Sequence, residues 1–231
     1  ALTRSLRRVG GVLRRSGMSA LSSPTNEGIE DLRQATEAHP DGLLFYSLGI
    51  AQANKKRFPE AERAFRRAAE SFSIVPIRRA ALFALMYCRW ELFDLEAEPI
   101  ASVVASTAAS SARAVGLKRQ ALESIHGLLR FGELRPDEAD LASSVALAVD
   151  EIDLARGIVR EWERGSGAGD LAPVRKRMIV EFRAGAYGAV LKATAIILGK
   201  SPADELARKY REESVKKLRE QAERYRPPGR D

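Results

Sequence analysis

The sequence predicts an all-α protein built from antiparallel helix pairs, and three observations lead to this fold class. Apolar residues recur at spacings of three and four along most of the 231-residue chain, which is the period of an amphipathic helix. Strictly alternating runs of β-branched residues are scarce, so no sheet is expected. Aromatic residues make up only 6% of the chain while alanine is abundant, a composition that suits closely packed helices. With 45% apolar residues, the chain can bury a sizeable core.

The helical pattern is clearest over Gly42–Ser73, which is predicted to form two helices joined by a tight turn. The first helix is predicted over residues 42–54 and the second over 58–72. Gly49 and Ala61 are small where the two helices would approach each other closely. The predicted packing residues of this pair are Phe45, Leu48, Gly49, Phe58, Ala61, Phe65 and Ala68.

These residues resemble the tetratricopeptide repeat (TPR) consensus, in which a large apolar residue, Leu-Gly, Ala, Phe and Ala recur at fixed offsets. With Gly49 on the consensus glycine, Phe45 falls on the large aromatic position and Phe65 on the Phe of the second helix. The resemblance implies a TPR-like α-solenoid with a C-terminal capping helix, and a role in binding other proteins. TPR proteins that hold chaperone tails use Lys and Asn in the first helix. Tyr46 and Ile50 occupy such positions here, so that clamp is not expected.

The same periodicity predicts helices outside the clear pair. They span residues 27–39, 77–91, 111–131, 137–149, 151–164, 171–184 and 187–199. A separate helix carrying Phe93, Ile100 and Val103 is expected after residue 91, as the second helix of a degenerate repeat. The long helix over 111–131 does not fit the 35-residue register of the repeats, and its pairing stays open.

The last predicted helix, residues 201–226, is expected to cap the final apolar face, as the ends of repeat arrays require. Ser201 is predicted as its N-cap, with Asp204 three residues on. Deleting residues 202–231 is therefore expected to expose the preceding helix and cause aggregation. The predicted buried stripe consists of Leu206, Tyr210, Val215, Leu218, Ala222 and Tyr225.

The formal net charge of +7 lies mostly at the two ends of the chain. Residues 1–26 contain five arginines and no acidic residue, and residues 200–231 contain ten Lys and Arg against seven Asp and Glu. The region between them, residues 27–199, is close to neutral at −1. We therefore predict a basic N-terminal extension (1–26), a helical repeat domain (27–199), and a C-terminal capping helix with a basic tail (200–231).

The N-terminal segment 1–26 is rich in Arg and Ser and has the composition of an organellar transit peptide, which favours a mitochondrial or plastid protein; the alternative is cytoplasmic. The segment is either a retained leader, a disordered tail, or an anchor that contacts an anionic surface such as RNA, acidic lipid or an acidic protein groove. The candidate anchor residues are Arg4, Arg7, Arg8, Arg14 and Arg15.

Sequence signals for catalysis, cofactors and metals are absent. His39 and His126 have no Cys, His or paired carboxylate at ligand spacing, and the glycine-rich run 165–169 follows a helix rather than a strand. The single cysteine, Cys88, lies in an apolar stretch and is expected to be a buried, inert thiol. The longest uncharged run, 99–112, is too short to span a membrane. We expect no enzyme activity and no cofactor.

The favoured function is a non-catalytic scaffold or adaptor that binds proteins, as a subunit or assembly factor of a larger complex. The alternative is a helical-repeat RNA-binding protein of an organelle or ribosome, because 35 residues is also the period of pentatricopeptide repeats, which bind RNA. The near-neutral charge of residues 27–199 argues against that alternative, since an RNA-binding groove should be basic.

Overall fold

The computed structural model describes the backbone of residues 24–102 and 108–224 and, within these ranges, the side chains outside 93–114 and 117. The described residues form helices and connecting turns, without a strand. The all-α prediction is confirmed.

The chain divides into two compact units, Ala1–Gly132 (unit 1) and Glu133–Asp231 (unit 2). The helices of unit 1 are α1 (Asn26–Ala38), α2 (Gly42–Asn54), α3 (Phe58–Ser71), α4 (Val75–Ser102) and α5 (Ala108–Leu129). The helices of unit 2 are α6 (Pro136–Ala148), α7 (Ile152–Gly165), α8 (Ala172–Arg183), α9 (Tyr187–Lys200) and α10 (Glu205–Arg224). Within each unit, helices that are consecutive in the chain pack against each other.

Local sequence signals set the ends of the helices in the first pair, α2 and α3. The Asp41 carboxylate accepts a hydrogen bond of 2.8 Å from the backbone N–H of Leu43, which caps the start of α2. Lys56 turns the chain between the helices with a left-handed φ of 57°. Pro59 lies in the first turn of α3, where its missing N–H costs no helical hydrogen bond.

The prediction of two helices between residues 77 and 103 was wrong, because α4 runs without a break over Val75–Ser102. No glycine or proline lies between Ile77 and Glu98, so this stretch has no signal that would end a helix. The helix predicted over 111–131 corresponds to α5, and it packs against α4. It therefore takes the place of the second helix that the sequence pattern assigned to residues 93–103.

The start of α10 also differs from the prediction. The helix begins at Glu205, and Oδ1 of Asp204 accepts a hydrogen bond of 2.9 Å from the N–H of Ala207. Ser201 instead ends α9, since its own N–H donates to the carbonyl of Ile197 at 2.7 Å. The N-cap of α10 is therefore Asp204 and not Ser201.

The buried face of α10 is only partly the predicted stripe. Ala207 and Ser214 are fully buried, whereas Leu206 is 45% exposed and Ala222 is also exposed. Residues 207, 210 and 214 keep the helical spacing of three and four, while the predicted step from Tyr210 to residue 215 drifts off that face. In the stripe, Val215 and Leu218 are half-buried and Tyr225 lies outside the described residues.

The preceding helix α9 presents Ile197, fully buried, toward the cluster that contains Ala207 and Tyr210. Ile196 remains 43% exposed although α10 is in place. Removal of α10 is therefore expected to uncover Ile197 rather than Ile196.

Replacing Asp204 by alanine is expected to destabilise unit 2 by about 1 kcal/mol, the usual cost of a lost N-cap. The N–H of Ala207 and, after it, the Arg175 guanidinium hold the pKa of Asp204 below its ordinary value. A carboxylate with a lowered pKa stabilises the folded state above its ordinary pKa of about 4, and this contribution is lost as the pH falls through the folded-state pKa. Urea denaturation at neutral pH and in strong acid measures both effects.

The control is Asp153→Ala in the first turn of α7, where the carboxylate is 98% exposed. This variant should lose little stability at either pH. An Asp204→Ala variant whose stability deficit persists unchanged in strong acid would contradict the assigned role of the carboxylate.

Candidate interaction surfaces

The seven predicted packing residues are all buried in unit 1, and all except Gly49 belong to three apolar clusters. Leu48 packs with Ile29 and Leu32 of α1. Phe58, Ala61 and Phe65 pack with Leu85 and Cys88 of α4, and Phe45 and Ala68 pack with Ala81 of α4. The α2–α3 pair is therefore in apolar contact with the helices before and after it.

The closest approach within the α2–α3 pair is at Gly49. A Cβ atom placed there would lie 2.7 Å from both Cδ1 and Cε1 of the Phe65 ring, which is closer than atoms pack. The Phe65 ring is nearly fully buried and is held edge-on by Tyr46, at 5.6 Å between ring centroids. A side chain at position 49 would therefore have to move a ring that is itself confined.

Unit 1 also presents a half-buried apolar face, formed by Tyr46, Ile50 and Ala53 of α2 with Leu82 of α4, which we call the α2–α4 face. All four side chains pack against the buried cluster that includes Phe58. Residues 46, 50 and 53 are spaced four and three apart, so they lie on one side of α2. Their inner surfaces complete the core, and their outer surfaces remain accessible.

A buried ionic network links three helices of unit 1 and was not foreseen from the sequence. Arg89 of α4 donates from Nε to Oε1 of Glu62 in α3 at 3.1 Å. It also donates from Nη1 to Oγ of Ser124 at 2.6 Å and to the carbonyl oxygen of Gln120 at 2.8 Å, both in α5. Arg66 adds two hydrogen bonds to the Glu62 carboxylate, at 2.6 and 2.8 Å. The buried charges therefore have partners, as burial of charge requires.

In unit 2, ion pairs join helices in addition to the apolar cluster that contains Met178 and Ile197. The pairs that cross between helices or reach a helix N-cap are Lys176–Asp140 at 2.7 Å, Arg156–Glu181 at 2.7 Å, Arg177–Glu163 at 3.0 Å and Arg175–Asp204 at 2.8 Å. The Phe182 ring of α8 adds edge-on contacts with Tyr187 at 5.6 Å and with Tyr210 of α10 at 4.9 Å. Charged and aromatic contacts therefore join α6 to α8, α7 to α8, and α8 to α10.

Comparison with known proteins identifies the architecture. No family model matches the sequence, and no curated protein matches it. A tetratricopeptide repeat protein from Parabacteroides merdae has a similar structure, with a TM-score of 0.64 and 14% identity, over 94% of this chain and 76% of that one. The chain has a TPR-like fold.

Two other solved structures share the TPR-like fold. A thermophilic TPR protein of Thermus thermophilus aligns with a TM-score of 0.52 at 13% identity, over 91% of this chain and 98% of that one. PilF of Pseudomonas aeruginosa aligns with a TM-score of 0.53 at 14% identity, over 81% of this chain and 73% of that one. The likeness to these proteins concerns the fold.

A groove of about 900 Å³ lies between the end of α9 and one side of α10, and we call it the α9–α10 groove. Its apolar lining consists of Leu198, Pro202 and Val215. Its charged lining consists of Arg208, Arg211, Glu212, Lys216, Arg219, Glu220 and Glu223. The groove is thus lined by three apolar residues and by charged residues of both signs.

Three further side chains that could carry chemistry are those of Cys88, His39 and His126. Burial, the largest cause, raises the pKa of the Cys88 thiol to about 12, so the thiol is neutral at physiological pH. His39 and His126 are exposed. In the part of the chain that the structure describes, no group of three or more His, Cys, Asp or Glu residues could hold a metal ion.

Two further sequence predictions concern membranes and the N-terminal extension. Among the described helices, none combines the length and the apolar character needed to cross a membrane. The candidate anchor residues Arg4, Arg7, Arg8, Arg14 and Arg15 lie outside the described residues.

Proposed function

We propose that this chain is a non-catalytic protein-interaction scaffold that binds a partner protein through the α2–α4 face. The observation that carries the proposal is the apolar surface formed by Tyr46, Ile50, Ala53 and Leu82, which is half-buried against the core and open on its outer side. Apolar side chains held on a rigid helical base lose little further conformational entropy when a partner covers them. The TPR-like fold supports the same conclusion at the level of architecture.

The chemistry of the α2–α4 face favours an apolar partner segment. Tyr46 and Ile50 stand where chaperone-binding TPR proteins carry Lys and Asn, and the corresponding Ala81 and Leu85 of α4 are buried. Neither pair offers a cation or an amide to an acidic chain terminus. A partner is therefore expected to bind by burial of its own apolar side chains.

The finer part of the proposal places the scaffold in a larger complex, as a subunit or an assembly factor, within a mitochondrion or plastid. It retains the three-part organisation of a basic extension (1–26), a helical repeat region (27–199) and a C-terminal cap with a basic tail (200–231). Five arginines without an acidic residue in 1–26 support contact of that segment with an anionic surface of the complex.

The test is co-purification of the tagged full chain with quantitative mass spectrometry, comparing Ile50→Glu with Ile74→Glu. Both substitutions place a carboxylate in unit 1, but Ile74 is 41% exposed and is not part of the α2–α4 face. Ile50→Glu should lose the partner while Ile74→Glu retains it. Ala53→Arg provides a second variant of the face, and circular dichroism checks that each variant is folded.

An unchanged set of partners in Ile50→Glu and Ala53→Arg would contradict binding through the α2–α4 face. The RNA-binding alternative would instead be established if the full chain bound single-stranded RNA. That binding should weaken steeply as salt rises and should be unaffected by these two variants.

Deletion of residues 1–23, which leaves the Thr25 N-cap and the rest of α1 in place, is expected to reduce incorporation of the chain into its native complex without changing its melting temperature. Changing Arg7, Arg8, Arg14 and Arg15 to Glu should have the same effect, because the segment then repels an anionic receiver. The measurement is the fraction of chain that co-migrates with the complex on a sizing column. Full incorporation of the deletion variant would disprove the anchor role.

A further inference from the structure

We propose that the α9–α10 groove binds an amphipathic helix of a partner protein, with an apolar stripe on one side of that helix and acidic residues beside it. The proposal rests on the scaffold function proposed above. It adds a second surface, in unit 2, and specifies the chemistry of the segment that binds there.

An apolar face of α9 adjoins the α9–α10 groove at Leu198. Leu191, Ala195 and Leu198 are spaced four and three apart, so they share one face of α9, and Leu198 lines the groove. Leu191 and Leu198 are half-buried and Ala195 is exposed. Val215 continues the apolar lining on α10. An amphipathic helix binds an apolar groove through its own apolar residues, which recur at i, i+3, i+4 and i+7.

Arginines of α10 lie next to this apolar wall. Arg208, Arg211, Val215 and Arg219 are spaced three, four and four residues apart, which places them in one row along the helix. The guanidinium of Arg208 donates to the carbonyl of Pro202 at 2.6 Å, which holds this row beside the end of α9. Val215 lies within this row, between Arg211 and Arg219. An apolar partner residue that contacts Val215 would therefore have a cation on each side of it along the helix axis.

The position of the arginine row follows from the contacts of α10. Ala207 and Ser214 form its buried line, and Tyr210, on one side of that line, contacts Phe182 of α8. Arg211 lies on the other side of the buried line, away from the α8 contact and toward the groove with α9. Among the acidic lining residues, Glu212 and Glu220 each follow an arginine of the row by one residue, and Glu223 follows Arg219 by four. All three lie farther around the helix from the buried line than Arg211 does.

The charges of the row are available to a ligand. Three lining cations, Arg211, Lys216 and Arg219, have no hydrogen-bond or ion-pair partner among the described residues. Of the three lining acids, Glu212 and Glu223 have none either, and the Glu220 carboxylate is paired with Lys217 at 3.1 Å. Guanidinium groups without a partner, next to apolar lining residues, favour carboxylates on the partner helix. Each guanidinium can form a bidentate, charge-assisted ion pair with a carboxylate. An acidic row on the partner is therefore complementary to the α10 side of the groove.

A helix also fits the groove by length and by position in the stack. The lining runs from Arg208 to Glu223, which is about 22 Å along α10 at the rise of an α-helix. In unit 2, α8 has helices packed on both sides along the chain, while α10 packs chiefly on α8 and α9 among the described residues. The groove is open along one side of α10, which leaves space for a partner helix.

The test uses a fluorescent synthetic peptide of about 20 residues, the length of α10, with leucine at heptad positions a and d and glutamate at e and g. A matched peptide carries lysine in place of glutamate. Fluorescence anisotropy with the full chain should show about tenfold tighter binding of the acidic peptide, and this preference should weaken as salt rises.

The variant that tests the groove is Arg211→Glu with Arg219→Glu. The matched control is Arg130→Glu with Arg160→Glu, two exposed arginines outside the groove that give the same change in net charge. The groove variant should reverse the preference between the two peptides, and the control should preserve it. Val215→Asp, which places a charge among the apolar lining residues of the groove, should weaken the binding of both peptides. Circular dichroism verifies that this variant is folded.

Absence of binding by the acidic peptide, or equal affinity in the groove variant and the control, would overturn the proposal. Self-association of the chain that disappears in the groove variant would identify a second copy as the occupant and would also overturn it. If the acidic peptide does not bind while Ile50→Glu still loses the co-purified partner, only the groove proposal fails. If the wild-type chain retains no partner at all, the scaffold function itself fails.

Discussion

Replacing Arg89 by methionine is expected to destabilise unit 1 by up to about 3–5 kcal/mol, the typical cost when one partner of a buried ion pair is removed and the other is left uncompensated. The change leaves the buried Glu62 carboxylate with Arg66 as its remaining cationic partner. It also removes the donor to Ser124 Oγ and to the Gln120 carbonyl, so α5 loses both of these hydrogen bonds to α4. Urea denaturation followed by circular dichroism measures the loss.

The matched control is Arg119→Met on the neighbouring α5. The Arg119 side chain is 76% exposed and lies 3.7 Å from the Glu123 carboxylate, so it should cost less than about 1 kcal/mol. The double variant Glu62→Leu with Arg89→Met should recover much of the lost stability, because no uncompensated charge is then buried. Equal losses for Arg89→Met and Arg119→Met would show that the network contributes nothing specific.

Replacing Gly49 by leucine is expected to destabilise unit 1 by about 1–3 kcal/mol, the usual cost of overpacking a core. Even the first carbon of the new side chain would lie 2.7 Å from two atoms of the Phe65 ring. That ring is confined by Tyr46 on one side and by the cluster around Leu85 and Cys88 on the other, so it has little room to shift. A thermal melt monitored by circular dichroism gives the change in melting temperature.

Gly157→Leu in α7 is the matched control, since Gly157 is exposed and a Cβ there meets no atom within 4 Å. This substitution should be neutral or stabilising by up to about 1 kcal/mol, because glycine is a poor helix former. A Gly49→Leu variant that melts at the wild-type temperature would reject the close approach of α2 and α3 at this residue.

The α2–α3 pair could be predicted from the sequence because its determinants are local. A stretch of 32 residues contains all of these signals. They are the helical spacing of apolar residues, a small residue where the helices approach each other, and a proline in a first turn. The structure places Gly49 against Phe65 in this pair. The same signals placed α6 to α9 to within one or two residues of their observed ends.

The sequence by itself therefore determined the all-α fold class and the helix pairs in which apolar period and turn signals coincide. Only the tertiary structure decided the features that depend on which helix faces meet. These are the unbroken α4 and its pairing with α5, the buried Glu62–Arg89 contact, and the face on which α10 packs. The physical reason is the same in each case. Whether a charged residue is buried, or which apolar stripe of a helix faces the core, depends on contacts with helices that are distant in the chain.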